Sequence, residues 1–405
     1  MKFRVFDFGD EASGRDVRPD RTLIKGAVKG IGSTATFECE IAEKPVKKTT
    51  RLISDHHQAI RWMFEELPQL DSGNQCAGSL VGMQGVGHRV VHGGERFSDS
   101  VVITDSVLDE IDALSELAPL HNPACLEGIR GARAALGSTV PMVAVFDTAF
   151  HQTMPSYAKV YALPHELANR HHIRRYGFHG IAHASLVRSY FEKTGRPSEP
   201  SRLITVQLGN GCSISAVEDG KSVETSMGFT PLEGLVMGTR CGDLDPSIVN
   251  YLCQKENVDA SEVDRWLNER SGLLGLSGRT NDMREILQAA DREQHEPSQL
   301  AIEVFCYRIK KYIGSYLAVL GGADAIVFGG GIGEAAPDIR RMICEGMEWC
   351  GLQLDTARNS AAIGLQPGDV ARISMDGQPL EVYVGAADEE TWIARETVHC
   401  LTGTT

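Results

Sequence analysis

Short β-rich runs alternate with helical segments along this chain, and several of the runs end at a polar or glycine-rich turn. The strand candidates are 3–8, 88–91, 140–146, 203–208, 325–328 and 380–384. Val91 runs into His92-Gly93-Gly94, Phe146 into Asp147-Thr148, Leu208 into Gly209-Asn210-Gly211, and Phe328 into Gly329-Gly330-Gly331. This order predicts an α/β architecture. In open α/β sheets ligands sit beyond the carboxyl ends of strands, so these turns are candidate site residues as well as tight turns. With 405 residues the chain is too long for one compact core, and two or three domains are expected.

Charge narrows the partners. Lys+Arg 40 against Asp+Glu 54 gives a formal net charge of −14. Such a chain is a poor electrostatic match for nucleic acid or an anionic membrane, so neither is expected as a partner. Any anionic ligand must be held by local cations against the overall field. The N-terminus, MKFRVFDFGDEASGRD, shows no apolar run followed by a small-residue cleavage site, and no signal peptide is expected. No stretch approaches the roughly eighteen apolar residues of a membrane span. The ten cysteines are scattered without a Cys-x-x-Cys pair, which reads as reduced thiols in a cytoplasmic protein.

Helix signals are equally direct. Asn122 suits an N-cap and Pro123 a first helical position for a helix running to Leu136. Ile302, Phe305, Ile309, Tyr312 and Tyr316 form one apolar stripe on a long helix ending at Gly321-Gly322. Segment 194–201, TGRPSEPS, reads as a surface loop. Gly220-Lys221-Ser222 resembles the end of a Walker A loop, but Ser215 occupies the earlier glycine position. A hairpin turning at Asp219-Gly220 is the better reading. His56-His57 and His171-His172 lack the spacing of a metal site.

Segment 325–340, AIVFGGGIGEAAPDIR, reads as strand, glycines and then a helix whose first turn holds Pro337 and Asp338. Its glycines, like Gly209-Asn210-Gly211, fit a phosphate or base contact and a plain turn about equally. Arg89 stands beside His88 and His92, and Arg240 lies in MGTRCGDLDP, a loop too rich in glycine and aspartate for a core. Arginine's planar fork suits a transferring phosphoryl group, and a structural salt bridge is the ordinary alternative. Asp147 at a strand end can orient a nucleophile, hold magnesium or cap a turn. His179 and His121 can each donate to an anion or satisfy a buried carbonyl. Glu389-Glu390 fits a solvated helix start.

Nine stretches, in order from about residue 85 to the C-terminus, resemble the acetate kinase family of the sugar kinase/actin-like ATPase superfamily. They are GHRVVHGGERF (87–97), PLHNP (119–123), VAVFDTAFHQTMP (143–155), RRYGFHGIAH (174–183), LGNGCS (208–213), ETSMGFTPLEGLVMGTRCGDLDP (224–246), DMRE (282–285), GGGIGE (329–334) and DEETWIARET (388–397). The resemblance implies a two-domain actin-like ATPase fold, ribonuclease H-like, with an interdomain active-site cleft. One domain would be 1–148 with 386–405, on the substrate side, and 149–385 would bind nucleotide and dimerise. The implied reaction is reversible phosphoryl transfer from ATP to acetate, giving acetyl phosphate and ADP, with Mg2+ (or Mn2+) as cofactor and a homodimer as assembly. The nearest competitor is a propionate or butyrate kinase, differing in pocket size.

By position, the resemblance makes Arg89 and Arg240 the pair gripping carboxylate and phosphoryl group, His179 a transition-state donor and His121 a supporting histidine. Asp147 and Glu389 match the acidic residues tied to the metal and to orienting the nucleophile. Lys2, Gly209, Asn210, Gly211, Asp282, Met283, Arg284, Gly331, Ile332 and Gly333 match the nucleotide side. Val91, Leu120, Phe178 and Pro231 match the apolar wall around the alkyl group.

There are departures from the family pattern. The family opens with a strand and a turn of the form Asn-x-Gly-Ser-Ser-Ser-x-Lys. The best register puts Lys2 on that lysine and 3–7 in the following strand, so the first strand and its serines are absent and a sheet edge is left unpaired. A start codon assigned too late and a shortened gene are the two explanations, the first favoured by the intact downstream motifs. A catalytically impaired binding protein is the reading that follows from the second. Gln207, Ala335 and Ala387-Asp388 also depart from the residues usual in the family, which bears on the details of the nucleotide and metal coordination that the resemblance implies and not on the reaction class.

Overall fold

The structure, a computed structural model, describes residues 1–405 apart from 10–16, 18, 20, 42–43, 68–81, 120 and 404–405, with backbone alone at 44–46. The chain divides into two compact units, 1–149 with 389–405, and 150–388.

The first unit opens with four antiparallel strands in sequential order, β1 (Lys2–Asp7), β2 (Arg21–Lys29), β3 (Ser33–Ile41) and β4 (Lys44–Ile53). Alternation decides which face is buried: Ala35, Phe37 and Cys39 of β3 point inward at period two. Helix α1 (His56–Glu66) covers that face with Ala59, Trp62 and Met63. Asp55 caps it, its carboxylate accepting from the Gln58 N–H at 2.7 Å.

A second, three-stranded sheet has the order β5 (Val86–Val90), β7 (Met142–Phe146), β6 (Val101–Val102), with β5 and β7 parallel. Helices α2 (Asp105–Ala113) and α3 (Asn122–Leu136) supply its core with Leu108, Ile111, Leu126 and Ile129. The start of α3 departs from expectation by one residue. Asn122 is already helical and fully buried, and its amide clasps His92, accepting from its N–H and donating to its carbonyl, both at 3.1 Å. A side chain committed to that clasp cannot cap the helix. β1 and β5 are the outer strands of their sheets among the described residues, and both border a cavity of about 1490 Å³. β1 begins at Lys2 and carries the segment 3–7 that the sequence reads as a strand.

The second unit is built on a six-stranded sheet. In order it runs β10 (Lys221–Thr225), β9 (Cys212–Glu218), β8 (Arg202–Leu208), β11 (Ala325–Gly329), β13 (Glu381–Gly385), β12 (Val370–Arg372). The central three strands are parallel and almost wholly buried, as strands covered on both faces must be. Helix α4 (Gly180–Thr194) packs on the sheet with ten buried residues, and α5 (Met283–Arg292) and α6 (Glu296–Leu320) follow. Of the expected α6 stripe, Ile302, Phe305, Ile309 and Tyr316 are buried, while Tyr312 is half-buried and its hydroxyl donates to Asp243 at 2.8 Å; Gly321 closes the helix in the left-handed region. β9 and β10 form the hairpin expected at Asp219-Gly220, both with positive φ, the signature of a type I′ turn. The glycine segment after β11 differs from expectation. Gly330–Ala335 is itself a short helix, and Pro337 starts a separate one.

Candidate active site

In the first unit the parallel pairing of β5 and β7 sets Arg89 opposite Val145. Asp147, two residues on, therefore shares the face of Arg89. The guanidinium donates from Nε to both carboxylate oxygens at 3.1 Å and from Nη2 to Oδ2 at 2.5 Å. Asp147 is 1 % exposed, whereas the Arg89 side chain is 44 % exposed and keeps one flank open. The carboxylate beside it, ahead of all other influences, holds Arg89 firmly protonated.

Glu389 begins the C-terminal helix, Glu389–Thr402, and lies within electrostatic reach of this pair. Burial raises the Glu389 carboxyl above its ordinary value; Arg89 opposes that, and the like charge of Asp147 adds to it. Lys2, exposed on β1, acts on the same carboxyl, so the structure sets it with the acidic residues of this unit. Val91 is buried just after β5, and His121 occupies the N-cap position of α3. Leu120 lies outside the described residues.

In the second unit the candidates converge on the turn Gly209-Asn210-Gly211, which joins β8 to β9. His179 precedes α4 with φ 58°, a left-handed conformation that costs a non-glycine residue about 1–2 kcal/mol. Gly177 before it has φ +74°, and a Cβ there would meet Thr225 at 2.6 Å and His151 at 2.7 Å. The tightly held Gly177-Phe178-His179 segment sets the imidazole over Gly211. A Cβ on Gly211 would lie 3.1 Å from His179 Nε2 and 3.6 Å from Arg240 Nη1, so the bare Gly211 is flanked by both side chains.

Arg240 is the electrostatic contrast to Arg89. Its Nη1 donates only to the Pro231 carbonyl, at 3.3 Å, and to the Met237 sulfur, at 3.9 Å. Among the described residues no carboxylate pairs with it, and burial lowers its pKa from the ordinary value. A part-buried guanidinium without a carboxylate partner is chemically suited to an anion. Pro231 and the buried Phe178 supply apolar surface; the Phe178 carbonyl accepts from His151 Nε2 at 3.0 Å.

Asn210 ties the turn to two other loops. The Gly238 N–H donates to its carbonyl at 2.8 Å, and Asn281 Nδ2 donates to its Oδ1 at 2.8 Å. Asp282 caps α5, accepts from the Arg284 N–H at 2.9 Å and pairs with the Arg284 guanidinium, which holds its carboxyl down at about 2. Arg284 itself is exposed and Met283 buried. β8 and β11 are parallel neighbours, so their glycine turns open side by side. Gly330, with φ +76°, lies so close that a Cβ would strike the Leu208 backbone at 2.6 Å. Beyond it Gly331 is open and exposed, Ile332 half-buried and Gly333 buried. The fully buried Arg340 donates to the Gly333 and Glu334 carbonyls and to Asn359, fixing the end of this short helix.

Two side-chain sets result, one anchored on the Arg89–Asp147 pair and one on the Gly209–Gly211 turn. Asn281, Gly238, Arg340 and Ser213, whose hydroxyl is 2.9 Å from His179 Nδ1, belong to the second set, and sequence reasoning does not single them out. Ser213 and Gly238 lie inside the stretches 208–213 and 224–246, Arg340 ends segment 325–340, and Asn281 immediately precedes DMRE, so motif membership or proximity is the signal that could have raised them.

Residues 1–395 match the family model described as the acetokinase family. The chain belongs to the acetokinase family. It is 46% identical to the acetate kinase of Chloroherpeton thalassium over 387 residues, 94% of this chain and 92% of that protein. It is likewise 46% identical to the acetate kinase of Solibacter usitatus over 403 residues, 100% of this chain and 96% of that protein. The crystal structure of Porphyromonas gingivalis acetate kinase superposes with a TM-score of 0.87 at 36% identity, covering 99% of this chain and 100% of that one. A propionate kinase from Francisella tularensis superposes with a TM-score of 0.84 at 38% identity, covering 98% and 99%. The fold is the two-domain actin-like ATPase fold of the acetokinase family. Among the described residues no helix is long and apolar enough to cross a membrane.

Proposed function

We propose that this acetokinase-family enzyme transfers the γ-phosphoryl group of ATP to acetate, reversibly, giving acetyl phosphate and ADP by in-line displacement. The observation that carries the reading is Arg240: a half-buried guanidinium, unpaired with any carboxylate among the described residues, sharing Gly211 with His179. The acceptor carboxylate is already a competent nucleophile, so the protein need not supply a strong base. Its work is positioning and charge neutralisation. Arg240 and Arg89 take the charge of the carboxylate and the transferring group, with Asp147 holding Arg89 in its fork geometry. His179 donates to the phosphoryl oxygens as charge spreads over them, and His121 supports the acetate side. Asn210, Gly211 and Gly331–Gly333 receive the nucleotide, with Asp282 and Arg284 at its rim and Lys2 contributing charge. Val91, Leu120, Phe178 and Pro231 form the wall against the methyl group.

The donor set fits a magnesium ion. Magnesium uses one or two carboxylates and completes its shell with phosphate and water, so it does not require a protein cage. The mutual repulsion of Asp147 and Glu389 is what a cation would relieve. When bound with the nucleotide it supplies neutralisation of phosphate charge. A cytoplasmic location is supported by nine described cysteines, all free. A homodimer is supported by exposed apolar side chains in the second unit, Tyr157 at 87 % and Val160 at 66 %.

Trapping the acyl phosphate as its hydroxamate, with acetate, propionate and butyrate in turn, tests the reading. Acetate should give the highest kcat/KM. One methylene shifts the ratio by roughly 10–200-fold, so a propionate optimum would move the enzyme to the specificity of its Francisella neighbour. No hydroxamate with any of the three would leave a nucleotide-binding protein without transferase activity.

A further inference from the structure

Behind His179 lies a chain of hydrogen bonds that none of the roles above uses. Its Nδ1 is 2.9 Å from the Ser213 hydroxyl. The same hydroxyl is 2.8 Å from Nε2 of His183, and Nδ1 of His183 is 2.7 Å from the Thr205 hydroxyl. Ser213, His183 and Thr205 are all 0 % exposed. They meet because Ser213 on β9 pairs with Gln207 on β8, so Ser213 and Thr205 share a sheet face, against which the first turn of α4 lays His183.

Proton counting gives this chain two directions. Burial, reinforced by His151 and His179, keeps His183 neutral, so it owns one N–H, and each hydroxyl owns one hydrogen. In one direction Thr205 donates to His183 Nδ1, His183 Nε2–H donates to Ser213, and Ser213 donates to His179 Nδ1. Every hydrogen then has an acceptor. In the other, His183 Nδ1–H donates to Thr205, and the Thr205 hydrogen finds no acceptor among the described residues. A buried hydroxyl donor left without a partner biases the population roughly tenfold or more against that arrangement.

We propose that Thr205, His183 and Ser213 are positioning residues that hold neutral His179 as the Nε2–H tautomer. The edge of the ring over Gly211, on the side shared with Arg240, then carries a hydrogen-bond donor and no positive charge. The inference rests on the reading of His179 as the donor to the transferring group, and it adds what makes that donor independent of protonation. No proton leaves the site: His179 donates its hydrogen bond and keeps its proton. Among the described residues the titratable groups placed around it are His183, reached through Ser213, and Arg240, across Gly211; His151 packs edge-on against His183, and Cys212, next to Gly211, is buried, which pushes its thiol up to about 12.

The test has a spectroscopic arm and a kinetic arm. In the full chain labelled with ring-15N histidine and assigned with His179→Asn, the His179 signal at pH 8 should show a protonated Nε2 and a bare Nδ1. A dominant Nδ1–H form, or an imidazolium persisting at pH 8, overturns the relay, and this arm needs no activity. In kinetics, Ser213→Ala should lower kcat about tenfold or more with KM for ATP and acetate nearly unchanged. Its rate should fall with rising pH through the histidine range, where wild-type stays flat, and Ser213→Thr should restore both. Full kcat with a flat profile in Ser213→Ala overturns the proposal. A fully active His179→Asn would instead remove the phosphoryl contact, leaving the tautomer to be judged by the spectra.

Discussion

Arg89 and Arg240 are the same side chain in two opposite electrostatic settings, and the difference separates activity from stability. Among the described residues Arg240 has no carboxylate to lose, so Arg240→Ala should slow turnover by roughly a thousandfold while leaving Tm unchanged or slightly raised. Arg89→Ala should cost activity and also about 1–3 kcal/mol of stability, because it strands the buried Asp147. Kinetics and thermal unfolding on both variants check the contrast, and equal Tm losses would contradict it. Glu389 supplies a pH test. Its folded pKa is raised, chiefly by burial, so its ionised form costs stability that is absent below the unfolded carboxyl range and complete above the folded pKa. Glu389→Gln should therefore gain Tm at pH 8 and little at pH 4, while losing magnesium-dependent activity. A Tm gain that grew towards low pH would reverse the sign.

At the scale of elements, the site of the second unit depends on one hairpin turn and the segment that leads into α4. Gly177→Ala should destabilise by about 2–4 kcal/mol, because its φ of +74° and two contacts under 3 Å leave a methyl no room. Chemical denaturation would measure this, and a neutral result would mean that the Gly177–His179 segment is not held by these contacts. β1, β5, β7, β8, β11, β13, the β9–β10 hairpin and the α6 stripe are legible from sequence because β-rich runs, turn residues and 3.6-residue patterns are local properties, whereas the sequence reading does not include β2–β4, β6 and β12. The start of α3 was misjudged by a residue because Asn122 looks like a cap locally, whereas its amide clasps His92, thirty residues away. For the glycines after β11 the sequence leaves a ligand contact and a plain turn equally open; the structure makes them a short helix, with Gly330 against the Leu208 backbone and the Gly333 and Glu334 carbonyls gathered by Arg340.

For the whole molecule, the net charge of −14 makes local cations decisive for an anionic substrate. If nucleotide binds on the second unit, hydrogen exchange with Mg·ATP should slow most in 202–218 and 325–335, and little in 21–53. Near-saturating nucleotide at 100 Kd should add about 2.7 kcal/mol of apparent stability. Protection confined to 21–53 would move the nucleotide site to the first unit.

The sequence alone determined the class of fold and the family and named the candidate site residues, because strand–turn order and residue chemistry are written consecutively along the chain. Tertiary structure decided which arginine is paired and which is open, since Asp147 reaches Arg89 only through parallel strand pairing across 58 positions. It also decided the neighbours of His179. Ser213 and His183 each end a family-like stretch, but nothing in the sequence links the two until β8, β9 and α4 bring them together, and a hydrogen bond's direction depends on every group along its chain.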